Sequence, residues 1–476
     1  MNRTLLLLSA AGLLALTALG LGLPPPPAPP PVTDTSHTVA RDDDPLATAT
    51  LPLVTSTPTG GALALTGKLS GAYVQEGPSE VFAWLELKAR PAAPEGRVPV
   101  NLALVLDRSG SMSGQKLDDA KRAAAELVGR LTPEDRLALV DYGTDVKVLP
   151  SRRVTEEVRE ELLRAIADLR EDGSTNISGG LTEAARALRP HVGAYRVSRA
   201  LLLSDGQPTM GMVREPELFA LTRSLRDEGI TVSALGVGED FQESLMRGMA
   251  EQGGGFSGFI DDSARLAEVF SRELEQAAGT VARRVELELL LPEAVQAVEV
   301  MGLSSTREGN RVKVPLYDLA GDQSVRVVVK LTLRTRRSGV EQQQVLGARV
   351  RYVDVARELP TDTGLLLTAG VTDDAALVRA NLDRDVRVHA TRALGTQQMA
   401  AAAEQMKRGN RAAARGLLDN ARRIFGTSAS SLSGELAELD QTEAAYGSAT
   451  GEDEVRRETL RLQKKTLKNF GQNNAY

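Results

Sequence analysis

The sequence predicts an α/β domain with a doubly wound, mostly parallel sheet, inserted into an antiparallel β-sandwich and followed by a helical region. Three observations lead to this fold class. Short, wholly apolar runs alternate with helical patterns between residues 98 and 280, which is typical of parallel strands covered on both faces. Alternating strand patterns lie on either side of that segment. Ala- and charge-rich helical patterns fill the chain from residue 371 onward.

The first 59 residues carry targeting and spacer signals. Residues 1–23 combine one Arg with a long apolar run, which predicts a secretory signal peptide, with an uncleaved membrane anchor as the alternative. Residues 24–59 begin with the run PPPPAPPP and continue rich in Thr, Ser, Pro and Asp, which predicts a disordered stalk. Both interpretations place the folded part outside the cytoplasm, as a secreted, periplasmic or membrane-tethered protein.

The sandwich is expected to form from two separate parts of the chain. Residues 60–97 contain the strand patterns AYVQEG and EVFAWLELKA, which are too few for a stable sheet. Residues 281–360 contain several more short alternating strands with turns between them. We therefore expect the two parts to pair, with the α/β domain of residues 98–280 inserted between them.

Within residues 98–280, apolar runs predict strands and amphipathic patterns predict the helices between them. The strands are expected at residues 100–106, 136–142, 199–204, 231–237 and 256–260. The helices are expected at residues 115–131, 155–169, 178–188, 215–228, 241–251 and 263–278.

Residues 371–476 predict a helical region. Its first part reads as one long helix, residues 376–410, followed by a tight turn and a second Ala-rich helix. Two further helical stretches are expected at residues 432–446 and 452–469. A covering or stalk element is the favoured role, with a partner-binding helical repeat as the alternative, because stacked repeats need three or more copies.

Composition narrows the classes of function. The chain has 476 residues, a formal net charge of −6, three histidines and no cysteine. This charge does not indicate nucleic acid as a partner. The lack of cysteine excludes thiolate metal sites and cysteine nucleophiles. His37, His191 and His389 are far apart in the sequence, which disfavours a zinc enzyme or a Ser-His-Asp hydrolase.

Oxygen-bearing side chains follow the predicted strands. The sequence DRSGS places Asp107, Ser109 and Ser111 after the first strand, Asp205 follows RALLLS, and Thr175 precedes a helix. In an open parallel sheet, ligands bind outside the carboxyl ends of the strands, where strand order reverses. Hydroxyl and carboxylate oxygens without His or Cys suit a hard cation such as Mg²⁺. Two Asp charges balance a divalent ion, and neutral hydroxyls leave it electrophilic towards one more anionic oxygen.

These motifs resemble the metal-ion-dependent adhesion site of the von Willebrand factor type A family. Asp-x-Ser-x-Ser after the first strand, a separate Thr, and Asp-Gly after the fourth strand match at five positions: Asp107, Ser109, Ser111, Thr175 and Asp205. The resemblance covers about residues 98–279. It implies that Mg²⁺, or Mn²⁺ or Ca²⁺ in its place, is bound there and captures an Asp or Glu carboxylate of a partner protein. In that family the serines and the Thr coordinate the ion directly or through water, whereas the Asp side chains often act through water.

The wider layout is similar to one type of secreted bacterial protein, in which a type A domain lies between sandwich strands and precedes helices. Inter-α-trypsin inhibitor heavy chains are a more distant comparison. Both resemblances imply an adhesion or protein-binding role rather than an enzyme. The alternative is an envelope assembly or structural factor, in which the metal mainly stabilises the fold and the helical tail binds partners.

Other interpretations of the serine-rich stretch are less complete. SGQK at residues 113–116 matches the S-x-x-K of serine acyl-enzymes, but the S-D-N and K-T-G motifs are absent from the sequence. GSMSGQK lacks the spacing of a phosphate-binding loop. Ser113 is expected to cap the helix that follows.

Three charged residues near the predicted site are expected to have no part in chemistry. Asp118 and Asp119 lie about one turn into the predicted helix and are expected to be solvated, which leaves metal-assisted hydrolysis without a base. Arg108 is expected to face solvent, with attraction of an anionic partner as the alternative.

Overall fold

The structure is a computed structural model that describes residues 54–56, 61–92, 97–238, 242–260, 262–337, 342–449 and 451–471. The predicted signal peptide or anchor and most of the predicted stalk lie outside these residues. Four strands begin the described part: β1 (Val54–Ser56), β2 (Leu63–Leu69), β3 (Tyr73–Gln75) and β4 (Gly77–Ala89). The assignment of residues 54–56 to a disordered stalk is wrong, because β1 pairs antiparallel with β2. Three residues are too few to show a strand period in the sequence.

A six-stranded sheet follows, with β5 (Val100–Asp107), β6 (Arg136–Tyr142), β7 (Val146–Arg153), β8 (Val197–Ser204), β9 (Ile230–Val237) and β10 (Gly254–Ile260). The strand order is β10-β9-β8-β5-β6-β7, and only the β6–β7 pair is antiparallel. Strand order therefore reverses between β5 and β8. The sequence did not predict β7. This edge strand contains Pro150, which lies where the pairing of β6 with β7 shifts register. An edge strand tolerates a proline at such a bulge.

Six helices cover the two faces of this sheet: α1 (Gln115–Arg130), α2 (Glu156–Ala167), α3 (Ile177–Leu188), α4 (Glu215–Asp227), α5 (Glu243–Gly253) and α6 (Leu266–Ala278). All eight residues of β5 are buried, and successive ones face opposite cores. Leu104 packs with apolar residues of α1, α2 and α6. Val105 packs with those of α3, α4 and α5. This two-sided burial explains why the strand is apolar throughout and confirms the predicted doubly wound domain.

Eight further strands build the sandwich: β11 (Thr280–Leu290), β12 (Val295–Val300), β13 (Thr306–Glu308), β14 (Arg311–Pro315), β15 (Leu319–Ala320), β16 (Ser324–Thr335), β17 (Gln343–Asp354) and β18 (Leu359–Thr372). One sheet has the order β1-β2-β4-β16-β12, and the other has β13-β14-β11-β17-β18-β3, with β15 paired to β11. Strand β4 pairs with β16 along its length, so the segments before and after the α/β domain share one sandwich, as predicted.

The chain ends in five helices: α7 (Ala375–Ala380), α8 (Arg384–Lys407), α9 (Arg411–Gly426), α10 (Ser433–Ser448) and α11 (Glu452–Asn469). Two boundaries differ from the prediction. Strand β18 extends to Thr372, so the helices begin at Ala375 rather than at residue 371. The single helix expected over residues 376–410 is interrupted, because Asp383 caps α8 by accepting a hydrogen bond from the Val386 amide and pairs with Lys68 of β2.

The helical region packs against both other parts of the described chain. The His389 ring of α8 stacks on Trp84 of β4, with ring centroids 5.4 Å apart. Leu460 of α11 belongs to the apolar core between the parallel sheet and helices α3 to α5. These contacts fit the favoured prediction of a covering element. Among the described residues, no helix has both the length and the apolar composition needed to cross a membrane.

Candidate metal centre

The first loop of the centre begins at the last residue of β5. Asp107 is fully buried; its Oδ1 accepts the Ser109 amide at 2.8 Å and its Oδ2 accepts the Ser204 hydroxyl at 2.5 Å. Because Ser204 ends β8, this carboxylate joins the two strands between which strand order reverses. The fold therefore places Asp107 at the edge where a doubly wound sheet binds its ligands.

Hydroxyl groups connect Asp107 to the third loop. The Ser109 and Ser111 hydroxyl oxygens lie 3.2 Å apart, and the Ser111 hydroxyl donates to Asp205 Oδ1 at 2.6 Å. Asp205 follows β8 directly and is fully buried. Ser109 is buried as well, whereas Ser111 is exposed, so the cluster opens to solvent on the Ser111 side.

Thr175 brings the second loop to the same place. A methyl group at Gly206 would lie 3.4 Å from the Ser111 hydroxyl oxygen and 3.7 Å from that of Thr175, so both hydroxyls flank this glycine. The Gly110 amide donates to the Gly173 carbonyl at 3.1 Å, which joins the first two loops. All five residues predicted from the sequence thus converge at one edge of the sheet.

The donor set fits a hard cation. Two carboxylates and three hydroxyls supply oxygen ligands with no nitrogen or sulfur among them, which is the chemistry that Mg²⁺ or Mn²⁺ accepts. In the described residues, no group of three or more His, Cys, Asp or Glu side chains is placed to hold a metal ion, so hydroxyls are essential to any metal site here. Asp107, Ser109, Ser111, Thr175 and Asp205 are the residues that would bind the ion.

The electrostatics of the centre favour an added positive charge. Burial raises the pKa of Asp107 to about 6, the hydrogen bonds from Ser109 and Ser204 oppose this rise, and the negative charge of Asp205 adds to it. No salt bridge to Asp107 is present in the described part of the chain. The neighbouring Tyr142 is buried beside this pair, and the pKa of its phenol is raised mainly by burial. An incoming cation would relieve the repulsion between the two carboxylates.

Lys116 also contacts the metal centre, which the sequence patterns did not indicate. Its Nζ lies 2.6 Å from Asp205 Oδ2 and 3.4 Å from the Ser111 carbonyl oxygen. Lys116 stands on the first turn of α1, and its side chain reaches back over the first loop. The ammonium partly neutralises Asp205 but leaves Asp107 without a cationic partner.

The expectation that Arg108 faces solvent is wrong. Its guanidinium is buried and pairs with Asp141 at 2.5 Å and with Asp172 at 2.9 Å. It also donates to the Asp145 carbonyl at 3.2 Å. Arg108 therefore ties the first loop to the ends of β6 and of the second loop. These pairings also exclude the alternative that its charge is free to attract a partner.

Two expectations for α1 are also wrong. Asp119 is buried, not solvated, and it accepts hydrogen bonds from Gln115, Arg122 and Ser263. Asp118 is exposed, as expected. Ser113 does not cap the helix: the N-cap is Gly114, whose φ of 74° suits glycine, and no side chain caps it. The serines of the loop are thus left to the cluster or to solvent.

The two histidines among the described residues lie outside the centre. His191 follows α3 in a turn, and His389 stacks on Trp84 in the helical region. His37 lies outside the described residues. The structure therefore does not place His191 or His389 in reach of the serine cluster.

Comparisons with known proteins agree with this fold. A family model for the von Willebrand factor type A domain matches residues 101–272. A von Willebrand factor type A protein of Catenulispora acidiphila superposes with a TM-score of 0.64 at 19% identity, covering 79% of this chain and 88% of that one. The ArnB paralog VWA2 of Sulfolobus acidocaldarius superposes with a TM-score of 0.56 at 16% identity, covering 86% and 99%.

Curated relatives match over part of their length. An uncharacterized Synechocystis protein, sll0103, is 31% identical over 278 residues, which is 55% of this chain and 63% of that protein. Inter-alpha-trypsin inhibitor heavy chain H4 of Sus scrofa is 29% identical over 192 residues, which is 38% of this chain and 21% of that protein. The match thus spans less than two thirds of each relative. Residues 101–272 therefore match the von Willebrand factor type A domain in sequence and in fold.

Proposed function

We propose that this protein is an extracytoplasmic, metal-dependent protein-binding module. A divalent cation, Mg²⁺ or alternatively Mn²⁺ or Ca²⁺, is held by Asp107, Ser109, Ser111, Thr175 and Asp205 and captures an Asp or Glu side chain of a partner. The observation that carries this proposal is the convergence of two buried carboxylates with three hydroxyls at the switch point of the sheet. Type A domains commonly mediate metal-dependent interactions between proteins.

The chemistry of the centre supports capture rather than catalysis. An ion bound by two carboxylates has its charge balanced, and the neutral hydroxyls leave it able to accept one anionic oxygen from outside. Hydrolysis would need a positioned base. Of the two acidic residues that follow the loop on α1, Asp118 is exposed, and Asp119 accepts hydrogen bonds from Gln115, Arg122 and Ser263.

The proposed location rests on the sequence alone. Residues 1–23 have the pattern of a secretory signal or membrane anchor, and residues 24–53 have the composition of a spacer. Such a spacer would hold the type A domain away from a membrane or wall. Expression of the full chain followed by cell fractionation tests this location, and recovery in the cytoplasm would contradict it.

The binding proposal is tested with a random peptide display library on the immobilised full chain. Peptides are selected in Mg²⁺ and eluted with EDTA, then resynthesised with each Asp or Glu replaced by Asn or Gln. We expect one acidic residue in each peptide to be indispensable. We also expect Asp107→Ala to abolish binding.

Ser113→Ala, in the same loop but outside the predicted ligand set, is the matched control and should bind as the wild type does. Failure to recover any peptide by EDTA elution, or recovered peptides that tolerate the amide exchange or Asp107→Ala, would overturn the proposal.

A further inference from the structure

Exposed apolar side chains are concentrated beside the candidate metal centre. Among the described residues, nine large apolar side chains are exposed, and three of them are Met210, Met212 and Val213, at 41%, 41% and 51%. The other six are spread over five elements. Single exposed apolar residues are ordinary, but three within four residues form a contiguous apolar surface. We call residues 210–213 the methionine loop.

Backbone contacts hold the methionine loop against the second loop of the centre. The Met210 amide donates to the Thr175 carbonyl at 3.3 Å, and the Met212 amide donates to the Ser178 hydroxyl at 2.9 Å. Between them, Gly211 has a φ of 73°, and a methyl group there would lie 2.3 Å from the Ser178 hydroxyl oxygen. The glycine therefore allows the backbone to pack inward, while the side chains on either side remain in solvent.

Thr175 contributes to both the metal centre and the backbone contacts of the methionine loop. Thr175 supplies a hydroxyl to the metal centre, and its carbonyl accepts the Thr209 and Met210 amides. The methionine loop is thus continuous with the site at which a partner carboxylate would bind. Methionine side chains are flexible and polarisable, so they accommodate apolar partners of several shapes.

We infer that the methionine loop contacts apolar side chains next to the captured acidic residue, so that the partner is an acidic residue flanked by apolar residues. This inference rests on the proposed function of the metal centre. The charge of the ion is complementary to the carboxylate, and the loop is complementary to its apolar neighbours. A carboxylate alone would bind with little selectivity, because most protein surfaces expose Asp or Glu. Contact with Met210 and Met212 supplies the selectivity.

The test uses a short peptide with the central sequence Leu-Asp-Leu and two others that each change one feature of it, Ser-Asp-Ser and Leu-Asn-Leu. The full chain is labelled with ¹³C at the methionine methyl groups, and the signals of Met210 and Met212 are assigned by single Met→Leu substitutions. Peptides are titrated in Mg²⁺ and in EDTA. We expect Leu-Asp-Leu to bind about tenfold more tightly than Ser-Asp-Ser and to shift the two assigned signals.

Matched variants separate the methionine loop from general surface hydrophobicity. Met210→Ser/Met212→Ser should bind Leu-Asp-Leu and Ser-Asp-Ser equally. Leu359→Ser/Leu366→Ser, which removes two exposed side chains from β18, should keep the tenfold preference. Equal binding of the two Asp peptides to the wild type would overturn the inference and leave the proposed function standing. Failure of both Asp peptides to bind in Mg²⁺ at millimolar concentration would overturn both.

Discussion

Two groups of buried carboxylates lie near opposite ends of β8, and they differ in whether the chain supplies a cation for each carboxylate. At one end of β8, Arg199 lies 3.2 Å from Glu273 and 3.9 Å from Asp318, and all three side chains are buried. At the other end, Asp107 and Asp205 are buried with Lys116 on Asp205 alone. Asp318 also interacts electrostatically with Arg226 and Arg283, so the first group has at least one cation for each carboxylate. The second has more negative charge than the chain neutralises, which is what distinguishes a binding site from a structural ion pair.

We expect the largest change in stability from a substitution in the first group, at Arg199. Arg199→Met leaves Glu273 buried without its guanidinium and removes one of the cations near Asp318, so the free energy of unfolding should fall by roughly 3–5 kcal/mol. Urea denaturation measures this change. Arg186→Met, on the exposed face of α3, is the control and should change stability little. A loss from Arg199→Met as small as that of the control would remove the distinction between the two groups.

Asp107→Asn should have the opposite effect on the metal-free protein. The pKa of Asp107 is raised to about 6 in the fold, chiefly by burial, so its ionised form opposes folding at neutral pH. The neutral amide should therefore stabilise the metal-free protein by up to about 3 kcal/mol. The same substitution should abolish stabilisation by Mg²⁺. Thermal unfolding with and without Mg²⁺ measures both effects, and a destabilised variant that still responds to Mg²⁺ would contradict the account.

The pH dependence should have opposite signs with and without metal. A carboxyl group whose folded pKa is raised contributes stability fully below its unfolded pKa, 3.8, and that contribution is lost as pH rises through about 6. Stabilisation by Mg²⁺ should instead appear as pH rises through about 6, because the ion binds the carboxylate. Below this pH, affinity should fall by about tenfold per unit.

Melting curves from about pH 5 to about pH 7, in EDTA and in Mg²⁺, check these signs, with the pH limits set about one unit either side of the transition. Asp107→Asn serves as the control because it has no carboxyl group to titrate at this position. A Mg²⁺ response that is independent of pH through this interval would show that Asp107 is not part of the site.

The smallest expected effect is a change in Mg²⁺ affinity on substitution of Lys116. Its ammonium occupies Asp205 Oδ2, so it competes with a metal ion for that oxygen and would repel the ion once bound. Lys116→Met should tighten Mg²⁺ binding by about three- to tenfold. Lys121→Met, on the same helix and bonded instead to the Ala167 carbonyl, should leave the affinity unchanged. Weaker binding in Lys116→Met would mean that the lysine helps to organise the site.

The sequence predicted the residues that lie next to strand ends more reliably than those that depend on distant partners. Asp107 and Asp205 follow apolar runs, and a doubly wound sheet brings such positions together. Lys116 and Arg108 gave no local signal, because their partners Asp205 and Asp141 lie 89 and 33 residues away along the chain. The charge balance of the cluster therefore became visible only in the folded structure.

The elements that the sequence missed have a similar physical cause. Strand β7 contains Pro150 and mixed polar residues, so its pattern is weak, and its pairing with β6 defines it. The break between α7 and α8 depends on Asp383, whose pairing with Lys68 joins residues 315 positions apart. Local pattern predicts a continuous helix there, whereas tertiary contacts end it.

The group of Asp107 and Asp205, for which the chain supplies only one cation, is expected to bind a divalent ion together with the neighbouring hydroxyls. Isothermal titration calorimetry of the metal-free full chain with Mg²⁺, Mn²⁺ and Ca²⁺ tests it most directly. We expect one site with a dissociation constant below about 1 mM in the wild type, and no binding in Asp107→Asn. The control Ser113→Ala should bind as the wild type does. Absence of binding for all three ions in the wild type, or equal binding in Asp107→Asn, would contradict the claim.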